Sequence, residues 1–367
     1  MLPNDINKPN EINNYFLQFS NYTRPDQKII NSYTSSLKTD FKNKINFTLV
    51  DENVVNKYLI EIKSKALSWD QLNIDMLLIS CPYIVPFLVH ILNTCLLENV
   101  FPDQWKVSKV IPLPKKNDVT SYNDLRPISI LSPLSKLLEK VMAAQVRDHL
   151  TQYNILPDRQ SGFRQGYSCA TCLLDIIDEI IKEADSGKCT SLLLLDYSKA
   201  FDKINHEILF AILYHIGFSE NAVKLITNYL KDRQQFVETS IGASERGRIF
   251  CGVPQGSVLG PLLFCIYTFN VVNSLKYCTA FLYADDSQLL YSFEPSYLFN
   301  ANMHIDNDLN SLIEYSNQHQ LSINSAKTQV LIFGKNKNNI ASSIKLSVNN
   351  VELKCATSAR PGIGDRY

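Results

Sequence analysis

The stretch Phe281-Leu282-Tyr283-Ala284-Asp285-Asp286-Ser287-Gln288-Leu289-Leu290-Tyr291 constrains the chain more than any other. Apolar and aromatic residues run into and out of two adjacent carboxylates, the pattern of a tight hairpin with Asp285 and Asp286 at its tip. Neighbouring acids repel, and acids held against an apolar strand need a cation to neutralise them. Hard cations such as Mg2+ take carboxylate oxygens together with substrate phosphates. On its own the dipeptide reads as a solvated turn, because so short a motif recurs by chance. A third acid far upstream changes that.

Asp196 ends the apolar run Ser191-Leu192-Leu193-Leu194-Leu195, which suits a strand buried on both faces. A strand ending in an acid, beside a hairpin tipped with two, makes a three-carboxylate cluster. Such a cluster can hold two metals about 3.5–4 Å apart, the arrangement that stabilises the attacking and leaving oxygens of phosphoryl transfer.

Asp196 to Asp202, Gly252-Val253-Pro254-Gln255-Gly256-Ser257-Val258-Leu259-Gly260-Pro261 and Tyr283-Ala284-Asp285-Asp286 stand in the order of the reverse-transcriptase motifs. Their wording resembles the non-LTR (LINE-like, Jockey-type) retrotransposon branch, and the resemblance runs from about Glu11 to about Arg360. It implies a right-hand polymerase fold of the mixed α/β (α+β) class, with fingers and palm and with the thumb missing. It implies RNA-directed DNA synthesis, in which two Mg2+ ions (Mn2+ being an alternative) held by Asp196, Asp285 and Asp286 serve nucleotidyl transfer from a dNTP to a primer 3′-hydroxyl. RNA template, DNA primer and dNTPs are the implied partners, and a nuclear or cytoplasmic location inside the cell goes with them. The other reading is an inactive retrotransposon-derived relic, at most an RNA-binding protein.

A chain of 367 residues can bury a large core in two or three lobes. With 20% charged and 45% hydrophobic residues it is globular rather than disordered. The net charge of zero is not by itself a nucleic-acid binder's signature. The balance is local, however: Pro102 to Ala170 holds ten Lys/Arg against six Asp/Glu. Nine scattered cysteines without a leader sequence fit a reducing compartment. Cys169 and Cys172 have metal-ligand spacing but no second pair, so packed thiols are expected rather than zinc. The most apolar region, Met76 to Val100, is interrupted by Pro82, Pro86, His90 and Asn93, and reads as buried helix rather than a membrane span.

Four segments are expected: a polar, partly helical N-terminal arm (1–46), an N-terminal extension of the reverse transcriptase (47–100), fingers and palm (101–335, with palm strands near 191–203 and 249–335), and a truncated start of the primer-grip region with a divergent tail (336–367). In the extension, Lys63 to Asp70 has Ser68 where the family usually has Gly, and fits either template contact or a plain helix-to-loop junction. Val110 to Lys116 and Leu125 to Ile130 read as paired strands of a basic ribbon. By resemblance its Arg126 and Lys115 clamp a triphosphate, since charge-assisted contacts to phosphate are strong; for Lys115 a solvated hairpin is an equal account. Pro157 to Gly166 resembles the template-handling segment, with Arg164 on a phosphate or a base, or else is a plain glycine turn. The periodicity of Leu173, Ile176, Ile177 and Ile180 predicts one helix face, ending near Gly187.

By the same resemblance Tyr197 and Phe201 contact the nucleotide, and Gln255 the nucleotide or the template base. Phe201 lies under the nucleotide's sugar and leaves no room for a 2′-hydroxyl; taken without the resemblance, Phe201 reads as a core residue. Gly256 and Tyr283 touch template or primer, and Asp202 caps the following turn. Lys327 approaches the pyrophosphate leaving group as general acid, or is a surface Lys before an edge strand. Val351 to Lys354 and Ser358-Ala359-Arg360 look like the approach to the primer grip, after which Pro361 to Tyr367 departs from the family pattern.

Overall fold

The computed structural model describes residues 2–35, 44–335, 337–353 and 355. In chain order its helices are α1 (Pro9–Leu17), α2 (Gln27–Ser35), α3 (Glu52–Glu61), α4 (Ile74–Ile79), α5 (Val85–Glu98), α6 (Pro133–Gln152), α7 (Cys169–Asp185), α8 (His206–His215), α9 (Glu220–Leu230), α10 (Leu259–Tyr267), α11 (Leu298–Gln318) and α12 (Lys337–Ser343). The strands are β1 (Val107–Pro114), β2 (Leu125–Ile130), β3 (Cys189–Asp196), β4 (Gln234–Thr239), β5 (Gly242–Ala243), β6 (Gly247–Arg248), β7 (Thr279–Tyr283), β8 (Asp286–Phe293), β9 (Gln329–Phe333), β10 (Ser347–Val348) and β11 (Val351–Glu352). The mixed α/β class is as the sequence leads one to expect.

Two compact units emerge, Met1–Tyr153 with Phe201–Leu263, and Asn154–Ala200 with Phe264–Tyr367. The first unit is built on the sheet β2-β1-β4-β5, with β6 also paired to β4. β1 and β2 pair antiparallel from Lys109 opposite Ile130 to Pro114 opposite Leu125, the anticipated ribbon. β4 joins β1 in parallel. Side chains open this unit's helices: Asp51 accepts the Val54 N–H at the start of α3, and Ser219 the Ala222 N–H at the start of α9.

The N-terminal segment is more than a polar arm. Ile12 and Phe16 of α1 pack with Val110, Val119, Leu125 and Val237, so α1 closes one face of the ribbon. Its polar residues outnumber its apolar ones, but two at i and i+4 suffice to anchor a helix. The apolar stretch from Met76 falls in α4 and α5, which bury Leu77, Leu88 and Leu92; the buried helix expected there is buried on one side only, since Ile79, Tyr83, Phe87 and Leu97 are exposed. Among the described residues no helix is long and apolar enough to cross a membrane. Ser68 does not take a positive φ. It is buried and donates to the Leu72 carbonyl at 2.7 Å.

The second unit is a four-stranded antiparallel sheet in the order β7-β8-β3-β9. β3 is central and buried along nearly its whole length, as its leucines predict. On one face Leu192, Leu290, Phe281 and Leu331 pack with Cys172 and Ile176 of α7. Burying such side chains contributes roughly 2 kcal/mol each. Ile177, expected on the same helix face, is exposed instead, because the residue after Ile176 turns 100° away from the sheet. All nine cysteines are free thiols. β10 and β11 form a small hairpin whose turn residues Asn349 and Asn350 both have positive φ. The expectations for Lys354, for Ser358 to Arg360 and for the tail beyond fall outside the described residues.

Candidate active site

In the second unit, β3 and β8 run antiparallel in a register that sets Asp196 directly opposite Asp286. Opposed residues of an antiparallel pair carry their side chains on the same face, with Cβ atoms about 5 Å apart. The hairpin joining β7 to β8 closes with Tyr283 opposite Asp286. Its turn is therefore Ala284-Asp285, so Asp285 alone is at the tip and Asp286 starts the strand. Ala284 adopts φ +57°, the left-handed region a two-residue turn demands. Asp196 is buried, whereas Asp285 and Asp286 are half exposed.

A strip of backbone supports this hairpin. The Leu282 N–H donates to the Arg159 carbonyl at 3.0 Å, and the Ser161 N–H to the Leu282 carbonyl at 2.8 Å. Gly162 then presses on the turn: a Cβ there would lie 2.1 Å from the Ala284 nitrogen. Gly162 thus admits the hairpin's own backbone. Arg164 is likewise tied to its own loop, donating to the carbonyls of Pro157 at 3.2 Å and Asp158 at 3.4 Å and stacking over Tyr167.

Lys327 meets Asp196. The segment before β9 is pinned to the end of β3: the Asn324 N–H donates to the Asp196 carbonyl at 2.8 Å, and the Ser198 N–H to the Ser322 carbonyl at 2.8 Å. The Lys327 N–H in turn donates to the Asn324 carbonyl. Its ammonium lies 3.0 Å from Asp196 Oδ2. Among the described residues no three His, Cys, Asp or Glu side chains are grouped as a ready metal cluster. The Lys327 ammonium stands beside Asp196, the buried member of the three acids. The donor set nevertheless fits a hard divalent cation: all three residues are carboxylates, and two of them oppose each other across one face.

Tyr197 is buried, and its hydroxyl pairs with Ser316 Oγ at 3.2 Å, so its phenol is engaged in the core. The side chain following Asp196 points to the opposite face of the strand. Tyr283 packs, half buried, against the cluster around Ile176, and burial raises its phenol pKa. Burial, and then the nearby Asp286 charge, raise that of the Cys169 thiol.

The first unit carries the remaining candidates. Arg126 lies half buried on β2 opposite Leu113, and among the described residues its guanidinium has no hydrogen-bond or carboxylate partner. Lys115 is exposed and donates to the Asn123 carbonyl at 2.7 Å. Phe201, in a short 3-10 turn, is half buried and its carbonyl accepts the Val253 N–H at 2.9 Å. Asn205 caps α8. Asp202 Oδ1 accepts from Gln255 Nε2 at 2.9 Å. The Gln255 carbonyl accepts the Ser129 N–H at 2.7 Å. Gly256, at φ +112°, is required by this contact, because a Cβ would stand 2.6 Å from the Ser129 carbonyl oxygen. Gly256 itself is exposed.

Sequence reasoning missed two buried acids. Glu139 on α6 is fully buried and accepts the N–H groups of Val258 (2.7 Å) and Leu259 (3.1 Å) and the hydroxyls of Ser135 and Tyr229. It thereby holds the entry to α10. Asp308 on α11, also fully buried, accepts the N–H groups of Lys276, Tyr277 and Cys278, fixing the approach to β7. Each acid interrupts an apolar helix stripe (Leu138, Met142; Ile305, Leu309, Leu312), and that interruption is the signal available in the sequence.

Comparison with known proteins adds to this geometry. Residues 113–352 match the family described as reverse transcriptase (RNA-dependent DNA polymerase). The chain is 34% identical over 215 residues to a Drosophila melanogaster protein described as "Probable RNA-directed DNA polymerase from transposon BS", covering 56% of this chain and 24% of that one. It is 28% identical over 187 residues to the RNA-directed DNA polymerase from mobile element jockey of the same species (49% and 20%). To the jockey counterpart of Drosophila funebris it is 27% identical over 260 residues (67% and 28%). The matched region thus spans about a quarter of these relatives' length.

Proposed function

The chain belongs to the reverse transcriptase (RNA-dependent DNA polymerase) family, and from that premise we propose that it extends a DNA primer with dNTPs on an RNA template. The observation that carries the reading is the register placing Asp196 opposite Asp286, with Lys327 on the first of them. Asp196, Asp285 and Asp286 are the residues that hold divalent metal, Mg2+ in the first instance. When bound, two such ions lower the pKa of the primer 3′-hydroxyl and neutralise charge on the leaving pyrophosphate.

The chain's own side chains do the rest. Arg126, a half-buried guanidinium with a free fork of donors, holds the triphosphate. Lys115 adds charge from a more exposed position. Phe201 excludes a ribose 2′-hydroxyl by bulk. Gln255, with its amide nitrogen committed to Asp202, presents its carbonyl oxygen to the incoming nucleotide or the template base. Lys327 donates a proton to the departing pyrophosphate.

Primer extension on poly(rA)/oligo(dT) with Mg2+ tests the reading. Extension by the wild-type chain, abolished in Asp285→Asn, is the expected result. No extension by the wild type, or equal extension by the variant, overturns the assignment of this chain as the enzyme and favours a relic that at most binds RNA.

A further inference from the structure

We propose that Lys327 is a resident counter-ion of Asp196 that a divalent metal must displace, so that metal loading and release of the Lys327 ammonium are one event. The inference rests on the assignment of the three acids as the metal site and adds a role that assignment does not contain.

The two partners are unequally held. The Asp196 side chain is 8% exposed, that of Lys327 58%. Asp196 ends the central strand, fixed by its register with β8 and by the Asn324 N–H on its carbonyl. The Lys327 backbone is fixed too, through the Asn324 turn, but its four-carbon stem runs through solvent. The acid cannot follow the base, whereas the ammonium can leave. A buried carboxylate needs compensating charge or hydrogen bonds, and the Lys327 ammonium at 3.0 Å contributes to this until a metal arrives.

The ammonium and the metal exclude each other. Mg2+ sits about 2.1 Å from its oxygen ligands. A dication held by the Asp196 carboxylate, with the ammonium still 3.0 Å from Oδ2, would crowd three positive charges around one carboxylate. The opposing Asp286 and the neighbouring Asp285 favour the dication, because three carboxylates can be shared by a metal but not by one ammonium. Once displaced, the ammonium is free on a solvent-exposed stem to meet a phosphate. The same group therefore serves Asp196 first and the leaving pyrophosphate afterwards, and is available for the second task only when the first has passed to the metal.

Mn2+ binding, read from the electron paramagnetic resonance of the free ion, tests this on the chain as it stands. Lys327→Gln removes the competing charge and is expected to tighten Mn2+ binding about tenfold, whereas Lys327→Arg stays near wild type. Asp285→Asn weakens binding in every background. In parallel, labelling of the Lys327 amine by an N-hydroxysuccinimide ester, followed by mass spectrometry, is expected to rise severalfold at saturating Mg2+; this needs no variant to fold. If Lys327→Gln, with a wild-type circular dichroism melt, binds Mn2+ no tighter, or Lys327 labelling is unmoved by Mg2+, the displacement is wrong while the metal site stands. If no Mn2+ binding sensitive to Asp285→Asn occurs in any variant, the metal assignment itself falls.

Discussion

A methyl group added at Gly162 would stand 2.1 Å from the backbone nitrogen of Ala284, inside the turn that carries Asp285. The obstacle is backbone on both sides, so neither can rotate away. The Arg159 to Ser161 strip is also hydrogen-bonded to Leu282, which fixes the approach. Gly162→Ala is expected to cost about 1–3 kcal/mol in urea denaturation and to lower primer extension on the order of 100-fold by shifting Asp285 and Asp286 by about 1 Å. Wild-type stability together with wild-type activity would show that the strip does not press on the hairpin.

Glu139 offers a test in the first unit. Its carboxylate satisfies two amide groups at the entry to α10 and the buried Tyr229 hydroxyl. Glu139→Ala leaves those donors without an acceptor, at a cost of about 3 kcal/mol. Glu139→Gln can still turn its oxygen to the amides and its nitrogen to Ser135, so it should recover part of that loss. Equal destabilisation by the two variants in denaturant titrations would mean that the negative charge, rather than the acceptor, matters.

Much of this was legible because it is local. The leucines of β3, the β1–β2 ribbon and the acids at the end of β3 and after β7 are all set by patterns a few residues long. What was not legible depends on residues distant in sequence. Gln255 meets Asp202 across 53 positions, Gly162 meets Ala284, and Ile12 meets Val237. No periodicity encodes such meetings. The burial of the Tyr197 phenol against Ser316 likewise depends on a residue 119 positions away. Lys327 was singled out as a general acid, but its pairing with Asp196 depends on how the Asn324 turn sits on the end of β3.

Phe201 is half buried rather than sealed in a core. Its carbonyl bond to the Val253 N–H ties it to the loop that carries Gln255. Phe201→Ala is expected to raise ribonucleotide incorporation relative to deoxynucleotide by about tenfold or more, as a steric exclusion worth at least 1.4 kcal/mol would, while Mn2+ affinity stays the same. Unchanged sugar selectivity, measured as the ratio of kcat/KM values for rATP and dATP, would reduce Phe201 to a packing residue.

His319 sets an acid limit on the second unit. It is 1% exposed, its ring stacks on Tyr315 at 3.9 Å, and Nδ1 lies 2.8 Å from the Tyr315 carbonyl, the acceptor that fixes the proton on that nitrogen. Burial pushes its pKa down to about 4. The folded value lies below the unfolded one of about 6.5. Between the two, the unfolded chain binds the extra proton, so stability is full above pH 6.5 and falls as pH drops towards 4. The loss attributable to this residue reaches on the order of 3 kcal/mol at the foot of that window. His149 and His206 are lowered by burial as well and act in the same direction, so the wild-type profile alone does not isolate His319. The comparison with His319→Asn does, since an amide can donate to the Tyr315 carbonyl without titrating. The variant is expected to be less stable at pH 7.5 but to lose less between pH 6.5 and 4.5 in urea melts. Parallel wild-type and variant profiles would show that His319 titrates normally and that acid sensitivity comes from elsewhere in the chain.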